Sequence, residues 1–468
     1  MIPFANKPAV KAQLLFPPAD LPDSTHPFTW HFHQAIDAYR IADVDLALHH
    51  FEQCRKIIPT DWFVIDQIAQ IQLQLVGDVH EAIRLFKYAR RLRERLNTPK
   101  EGKLPYRFLD SMWAAQIGHI ANIEHLIKRE ILLNRDPKKI VLLNSGKPAN
   151  QALLDKMSAY ITIATSEAEL PYPRDAMLSV LEDYYICESI DGFTKHWWHA
   201  SPEIFHAWEI AGRQPLLTLT DKERADGHAA LHDAGIPAGA WFATLHIREG
   251  GFKRAQGRAL QESGLNAECS TYLPAIEAVI ERGGCVVRIG DPDMSPLPAM
   301  PGLFDYAHSP LKSAAMDLFL LGGCRFFIGT SSGPAYVPPL FGIPCALTNW
   351  YPTGSRPFNG RDIYIPKLFR AGKPPRVLRF EDMFVPPIGY ALHYVNATEM
   401  SLSAISNTPE EICEVVLELL DRIDNKLSYS SEDRSLQKTF EAVAETNFCF
   451  GNARMGRAFL QRHKNLLI

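Results

Sequence analysis

Residues 241–247 (WFATLHI), 285–290 (CVVRIG) and 325–334 (RFFIGTSSGP) decide the predicted fold. Each stretch is a nearly continuous apolar run that ends in glycine, polar or charged residues, which is typical of strands buried on both faces of a parallel sheet. Helical patterns lie between them at about 272–282 and 313–321, and a Gly-Gly pair ends each of these helices. The alternation of strands and helices predicts an α/β layer around a parallel sheet.

A second α/β layer is predicted upstream of the first. A strand at 139–143, a helix over about 150–160 and a strand at 161–164 follow one another in the same order. Towards the C-terminus, helical patterns cover about 408–424 and 432–446 without a strand pattern. We therefore expect two Rossmann-type α/β domains and C-terminal helices that pack across them.

An internal repeat occupies the N-terminal part of the chain. Residues 42–51 (ADVDLALHHF) align with residues 77–86 (GDVHEAIRLF) at an offset of 35 residues, and each copy carries Ala and Phe four positions apart on one helical face. The pattern resembles the tetratricopeptide (TPR) repeat, which has a period of about 34 residues. The stretch 106–133 is interpreted as further helix that closes this stack.

The length of 468 residues is enough for about three domains of ordinary size. We predict four parts: a helical TPR-like region at 1–136, an N-terminal α/β domain on the acceptor side at 137–240, a C-terminal α/β domain at 241–400 and C-terminal helices at 401–468.

Composition restricts the class of protein. A net charge of −4 argues against nucleic acid as a general partner, and the basic cluster at 87–95 is interpreted as a solvated helix face. The eight cysteines form no Cys-x-x-Cys pair, so we interpret them as small apolar residues in a reducing cytosol. The first 13 residues lack a leader pattern, and no apolar stretch is long enough to span a membrane. We expect a cytoplasmic protein, with peripheral contact at an inner membrane left open.

Candidate site residues follow the predicted strands, because ligands of open parallel sheets bind beyond the carboxyl ends of the strands. Thr330, Ser331, Ser332 and Gly333 form a small-residue loop before a helix, which suits a phosphate group but also suits an ordinary helix N-cap. The remaining strand-end candidates are His246, Arg248, Arg288, Asp291, Asp305 and Asn349.

The two arginines leave alternatives open. Arg248 has the fork geometry to hold a diphosphate, or it pairs with Glu249 at the surface. Arg288 lies inside an apolar strand and needs a partner, either Asp305 or a ligand phosphate.

Further residues are candidates for acid–base or acceptor roles. Glu249, His246 and His199 are alternative general bases, and Asn144 and His199 lie on the acceptor side. The pair Trp197-Trp198 either stacks on a sugar or belongs to the core. The motif Asp291-Pro292-Asp293 has the form of an Asp-x-Asp metal motif, but arginines can neutralise a diphosphate without a cation, so we expect no metal.

An ordered set of motifs resembles the bacterial family of TPR-type glycosyltransferases, over roughly residues 139–390. The motifs are Tyr272-Leu273-Pro274-Ala275-Ile276, Arg288-Ile289-Gly290-Asp291, Asp305-Tyr306-Ala307-His308-Ser309, Asp317-Leu318-Phe319-Leu320, residues 324–333 (CRFFIGTSSG), Phe341-Gly342-Ile343-Pro344, Thr348-Asn349 and Ile365-Pro366-Lys367. This resemblance implies a GT-B fold. His246-Ile247-Arg248 also resembles the His-x-Arg element of GT-B fucosyltransferases, which implies that Arg248 contacts the diphosphate of a GDP-sugar.

The resemblance implies a glycosyltransferase of polysaccharide biosynthesis. It would transfer a sugar from a nucleotide sugar to a hydroxyl of a glycan, lipid or protein, without a metal or cofactor. Lys367 and Glu381 join the strand-end residues as donor-binding candidates, and the TPR-like region could hold a protein partner. The alternative is a non-catalytic scaffold with a degenerate nucleotide-binding domain.

Overall fold

The computed structural model describes residues 26–40, 43–249, 265–386, 388–390 and 402–467. Two expectations concern residues outside these ranges. They are the absence of a leader in the first 13 residues and the first position of the repeat, Ala42. Within them, no helix has both the length and the apolar character needed to cross a membrane. The predicted fold class is confirmed: helical hairpins precede an α/β body built on parallel sheets.

Two helical hairpins form the N-terminal part. They consist of α1 (Pro27–Arg40) packed on α2 (Val44–Ile57), and of α3 (Trp62–Ile71), continued by the π-helical turn Gln72–Val76, packed on α4 (Val79–Asn97). The repeat predicted at an offset of 35 residues is visible in the core, because Ala47, Phe51, Ala82 and Phe86 are all buried.

The small sheet has three parallel strands in the order β1 (Arg107–Leu109), β2 (Ile140–Leu143) and β3 (Thr162–Ala164). Helix α5 (Ile117–Leu132) connects β1 to β2, and α6 (Gln151–Met157) connects β2 to β3. The prediction of continuous helix over 106–133 is therefore wrong at β1. A strand of three residues is too short to show an alternating pattern, and it is followed by a strongly helical segment. The division of the chain at residue 137 falls inside this β–α–β unit.

The segment after β3 carries a short helix, a hairpin and two longer helices. They are α7 (Arg174–Leu178), the antiparallel strands β4 (Ile186–Glu188) and β5 (Thr194–His196), α8 (Trp197–Ile210) and α9 (Asp221–Asp233). Trp197 and Trp198 are both buried at the start of α8, which favours the core interpretation of this pair.

The large sheet has seven strands, all parallel to their neighbours. The strands are β6 (Phe242–His246), β7 (Cys285–Arg288), β8 (Leu303–Phe304), β9 (Phe326–Gly329), β10 (Cys345–Trp350), β11 (Ile363–Pro366) and β15 (Arg454–Met455). Their spatial order is β8-β7-β6-β9-β10-β11-β15. The first six follow the order of doubly wound dinucleotide-binding sheets, in which the winding direction reverses between the first and fourth strands. Here that switch point lies between β6 and β9.

The remaining elements surround the large sheet. They are α10 (Leu273–Glu281), α11 (Ala314–Gly323), the antiparallel strands β12 (Leu368–Ala371), β13 (Arg376–Val377) and β14 (Ser403–Ile405), and the helices α12 (Phe380–Phe384), α13 (Pro409–Ile423), α14 (Ser431–Thr446) and α15 (Arg457–Arg462). Helix α13 packs on α10 and on strands β10 and β11. The expectation that the tail after residue 400 holds no strand is wrong, because β14 and β15 lie there.

Candidate functional site

The ends of β6 and β9 are joined side by side at the switch point of the large sheet. The backbone N–H of Arg248 donates to Oγ1 of Thr330 at 3.1 Å. Nδ1 of His246 lies 3.0 Å from Oγ of Ser332. Sequence reasoning placed these four residues at strand ends, and the structure brings them together at the crevice where ligands of such sheets bind.

The Arg248 guanidinium has no acceptor or carboxylate partner among the described residues, and burial lowers its pKa. The alternative of a surface ion pair with Glu249 is not what the structure shows, because Glu249 turns to Arg288 at 3.3 Å. A half-buried cation without a counter-ion is unfavourable by itself. It is therefore the natural position for a bound anion.

Arg288 is fully buried and has protein partners. Its Nη1 donates to Oδ1 of Asp305 at 3.0 Å, and its Nη2 donates to the carbonyl of Ser295 at 3.0 Å and to Glu249. The other carboxylate oxygen of Glu249 accepts the N–H of Ser295 at 2.9 Å. Of the two partners left open for Arg288, the structure supplies Asp305, so these side chains organise the loop that follows β7.

The electrostatic environment of the crevice is positive. Burial, together with the positive charges of Arg248, Arg288 and Lys312, lowers the pKa of His246 to about 3. His246 is therefore neutral at physiological pH, and its ring holds Ser332 in place. Sequence reasoning missed Lys312, which lies in a loop with no strand or motif to mark it.

The loop Thr330–Gly333 leaves backbone donors without acceptors among the described residues, while its hydroxyls make hydrogen bonds inside the protein. All three hydroxyl residues are buried, and Oγ of Ser331 accepts the N–H of Tyr351 at 2.7 Å. The backbone N–H groups of Ser331, Ser332 and Gly333 have no acceptor among the described residues. Consecutive free N–H groups ahead of a helical turn, here the 3-10 turn Gly333–Tyr336, form an anion-binding arrangement.

The small sheet reaches this loop through the start of α5. The backbones of Gly118 and Gly333 are in direct contact: a Cβ atom on Gly118 would lie 2.7 Å from Cα of Gly333. The N-cap residue of α5, Gln116, makes no side-chain capping bond. The N-terminal end of a sixteen-residue helix, with its positive dipole end, thus faces the anion-binding loop.

His119 is the functional candidate that sequence reasoning missed. It directly follows Gly118, is partly exposed, and its Nδ1 lies 2.9 Å from the carbonyl of Met112. A ring nitrogen facing a carbonyl must carry the proton, which leaves Nε2 as the acceptor. Burial lowers the pKa of His119 below 6.5, so the ring is neutral at pH 7. The signal was hidden because this segment resembled one more helix of the repeat stack.

Two predicted donor residues lie further along the same sheet edge. Asn349 is buried in a left-handed conformation (φ 49°); its side chain accepts the N–H of Asn407 at 2.9 Å and donates to the Tyr272 hydroxyl at 3.2 Å. Lys367 follows β11, and its Nζ donates to the carbonyl of Asn266 at 2.7 Å. Burial lowers the pKa of Lys367 to about 8.

The other predicted residues lie in varied surroundings. Oδ1 of Asp291 accepts the N–H of Asp293 at 2.9 Å and closes a turn after β7. Asn144 is half-buried at the carboxyl end of β2. His199 lies on α8 with its Nε2 3.0 Å from the Tyr390 hydroxyl. Glu381 pairs with Arg379 at 2.5 Å on α12 and is about half exposed.

Comparisons with known proteins give structural matches only. No protein-family model matches the sequence, and no curated protein matches it. One similar solved structure is the dodecameric iron-containing heptosyltransferase TibC in complex with ADP-D-beta-D-heptose, at 14% identity and a TM-score of 0.31, covering 53% of this chain and 58% of that chain. Another is a glycosyl transferase family 9 protein of Veillonella parvula, at 12% identity and a TM-score of 0.30. The match covers 66% of this chain and 79% of that chain.

A third similar structure is a mutant O-GlcNAc transferase of Thermobaculum terrenum. It shares 12% identity with a TM-score of 0.22, and the match covers 70% of this chain and 51% of that chain. This chain thus spans a little over half the length of the heptosyltransferase and about half that of the O-GlcNAc transferase.

Proposed function

We propose that this protein is a glycosyltransferase that moves a sugar from a nucleoside-diphosphate sugar to an acceptor hydroxyl. The observation that supports this most directly is the Arg248 guanidinium at the switch point of the large sheet, which has no partner among the described residues. The N–H groups of Ser331, Ser332 and Gly333, which lack acceptors in the part of the chain that the structure describes, lie on the neighbouring strand end. Together they provide charge and directed donors for a diphosphate, the group whose negative charge grows as the sugar leaves.

The transfer assigns one role to each side of the crevice. The acceptor oxygen forms a bond to the anomeric carbon, and the bond from that carbon to the diphosphate oxygen breaks. The hydroxyl proton moves to Nε2 of His119, and the nucleoside diphosphate leaves with the electron pair, held by Arg248 and the Ser331–Gly333 amides. His246 keeps Ser332 in position, since a histidine with a pKa of about 3 is a poor base at neutral pH.

The rest of the donor extends along the sheet edge in this proposal. Lys367 lies two strand spacings from β9, about 10 Å away, which is within the length of a nucleotide. Asn349 and Asp291 flank the same edge. Glu381 is proposed to bind a hydroxyl group of the donor. A GDP-sugar is the first donor to test, and glycan, lipid and protein hydroxyls are the acceptor classes. The helical hairpins are proposed to hold a protein partner.

The first experiment measures nucleotide binding by thermal unfolding with ADP, GDP, UDP and their sugars. A ligand present at a hundred times its dissociation constant adds about 2.7 kcal/mol to the free energy of unfolding. We expect a rise in Tm with at least one nucleoside diphosphate, and we expect Arg248→Ala to lose it. Arg370→Ala is the matched control, because Arg370 is exposed on β12.

The outcomes separate the two classes of function. If no nucleoside diphosphate raises the Tm of the unmodified protein, the transferase proposal is wrong and a scaffold remains. An equal rise in Arg248→Ala would remove this residue from the site. When a nucleotide binds, incubation with its sugar and mass measurement of released nucleoside diphosphate then tests the transfer itself.

A further inference from the structure

A second site lies at the far side of the small sheet, in a cleft of about 540 Å³ between α4, β1, and the hairpin of β4 and β5. Six cations from several parts of the chain line it, together with three carboxylates. The cations are Lys87, Arg90, Arg91, Lys103, Arg107 and Arg135, and the carboxylates are Glu94, Glu182 and Glu188. The cluster at 87–95 is therefore one wall of a concave basic surface.

Two of the three carboxylates are already neutralised by arginines. Glu182 contacts Arg129 at 3.0 Å, Arg107 at 3.3 Å and Arg90 at 3.4 Å. The carboxylate of Glu188 accepts a hydrogen bond from each terminal nitrogen of Arg135, both at 3.1 Å. These pairs fix the floor of the cleft, and they leave little negative charge to repel an anion.

The cations at the rim are unpaired. Lys87, Arg91 and Lys103 have no ion pair or side-chain hydrogen bond within the part of the chain that the structure describes, and Arg91 and Lys103 are exposed. Phe193, at the tip of the β4–β5 hairpin, lines the same cleft and is 70% exposed. An exposed aromatic ring beside free cations offers both a flat apolar face and charge for a ligand.

The cleft lies far from the crevice of the large sheet. The N-terminal end of helix α5 contacts Gly333 of the anion-binding loop, and its C-terminal end lies near Arg135 of the cleft. Its sixteen residues rise about 24 Å. The two positions are therefore at opposite ends of one helix, and a ligand that contacts both must be an extended chain.

We propose that the cleft binds an anionic glycan, a sugar chain that carries carboxylate or phosphate groups. A role of this glycan as the acceptor substrate rests on the proposed function. Its binding to the cleft does not depend on that function. Guanidinium and ammonium groups recognise oxyanions, and the Phe193 ring can stack on a sugar ring. A peptide groove would need apolar anchor pockets. This cleft is lined by charged groups and by one exposed aromatic ring, that of Phe193, so a sugar chain fits it better than a peptide.

The experiment measures binding of fluorescent oligomers to the full-length protein by anisotropy. The probes are a galacturonate oligomer, a glycerol-phosphate oligomer, a neutral dextran oligomer and poly-glutamate of matched charge. The cleft variant is Lys87→Ala with Lys103→Ala. Its control is Lys56→Ala with Lys438→Ala, two exposed lysines on α2 and α14 that change the net charge equally.

We expect at least one anionic glycan to bind, with affinity that falls as salt rises, and the preferred probe identifies carboxylate or phosphate as the source. The cleft pair should weaken binding by about tenfold or more, Phe193→Ala should also weaken it, and the control pair should have no effect. Absent glycan binding, equal weakening by the control pair, or equally tight poly-glutamate or dextran would overturn the proposal. Nucleotide-induced changes in Tm should be the same in both pairs. If the nucleotide test fails while glycan binding holds, the acceptor role is wrong and the binding site stands.

Discussion

Two imidazoles near the same crevice differ in what they can do. His246 is buried, and its contact with Ser332 is structural. His119 is partly exposed, and its Nδ1 is occupied by a backbone carbonyl. Burial lowers the pKa of both rings. The Nε2 atom of His119 has no hydrogen-bond partner among the described residues.

Replacing His119 by asparagine should lower kcat by about a hundredfold to ten-thousandfold if it is the general base. Its pKa lies below 6.5 because of burial, so the neutral, active form persists at pH 7 and is lost as pH falls through that lower pKa. The pH profile of kcat/KM should therefore lose its acid limb in His119→Asn. His232→Asn, an exposed histidine on α9, is the control. An acid limb that persists in His119→Asn would exclude this residue as the base.

Asp362 is a buried acid whose protonation should affect stability. Burial raises its pKa to about 8, and its Oδ1 accepts the N–H of Cys345 at 2.9 Å and Nδ2 of Asn359 at 3.1 Å. The folded state holds the proton up to about pH 8, whereas the unfolded chain releases it near 3.8. This group therefore lowers the free energy of unfolding as pH rises between those values.

Asp362→Asn keeps the accepting oxygen and removes the charge. Relative to the unmodified protein, it should gain on the order of 1 kcal/mol or more above pH 8 and little near pH 4. Urea unfolding at both pH values measures this difference. Asp233→Asn, on the exposed end of α9, should show no such pH dependence. A gain of equal size at both pH values would contradict the assignment of the charge to Asp362.

At the scale of elements, the contact between the start of α5 and the Thr330–Gly333 loop joins the two sheets. The contact is between Gly118 and Gly333, and the two backbones can approach this closely because glycine has no side chain. The close approach brings the N-terminal end of α5, with its positive dipole end, to the amides of the loop. Two elements that belong to different sheets therefore form one site.

Gly118→Ala should damage this junction although alanine favours helix. The added Cβ would lie 2.7 Å from Cα of Gly333, so one backbone must move. We expect a loss of about 1–3 kcal/mol in the free energy of unfolding, together with weaker nucleotide binding. Gly146→Ala is the matched control, since its Cβ would meet nothing within 4 Å. Unchanged nucleotide affinity in Gly118→Ala would show that the junction does not shape the site.

Sequence patterns predicted elements that were long or strongly apolar. The strand at 285–290, the helix at 408–424 and the repeat all correspond to observed elements, because hydrophobic periodicity is a local signal. Strands β1 and β15 have three and two residues, too few for any period to show. Their place in the sheets comes from pairing with β2 and β11, which are distant in sequence.

The candidate site was predictable to the extent that it depends on strand ends. His246, Arg248 and Thr330 were expected at one edge because parallel strands end on the same side. The contact of Gly118 with Gly333 was not predictable, since no local pattern states which distant loops meet. The choice of Asp305 as partner of Arg288 was likewise open until the two side chains were placed.

At the scale of the whole molecule, buried charges join the helical hairpins to the small sheet. Glu182 contacts Arg90 of α4, Arg107 of β1 and Arg129 of α5. Burial alone would raise the pKa of Glu182, but the charges of the three arginines outweigh it and lower the pKa to about 2. One carboxylate thus connects three separate elements.

Glu182→Gln should cost about 3–5 kcal/mol at pH 7, because it leaves the fully buried Arg129 without its main counter-charge. A lowered folded pKa means that this stabilisation is present above the ordinary value of 4.5 and disappears as pH falls through about 2. Denaturant unfolding as a function of pH measures it. Glu445→Gln, at an exposed position of α14, should be neutral. A loss that stays constant down to pH 2 would contradict the ionic origin.

Helix α5 has a consequence for the size of the substrate. One end contacts the loop of the large sheet and the other lies among the ion pairs of the small sheet, so the two proposed ligand positions are about 24 Å apart. A short sugar chain can occupy one position at a time, whereas a chain longer than the helix can occupy both. The helix would then act as a gauge of length, and affinity should rise abruptly once the polymer exceeds it.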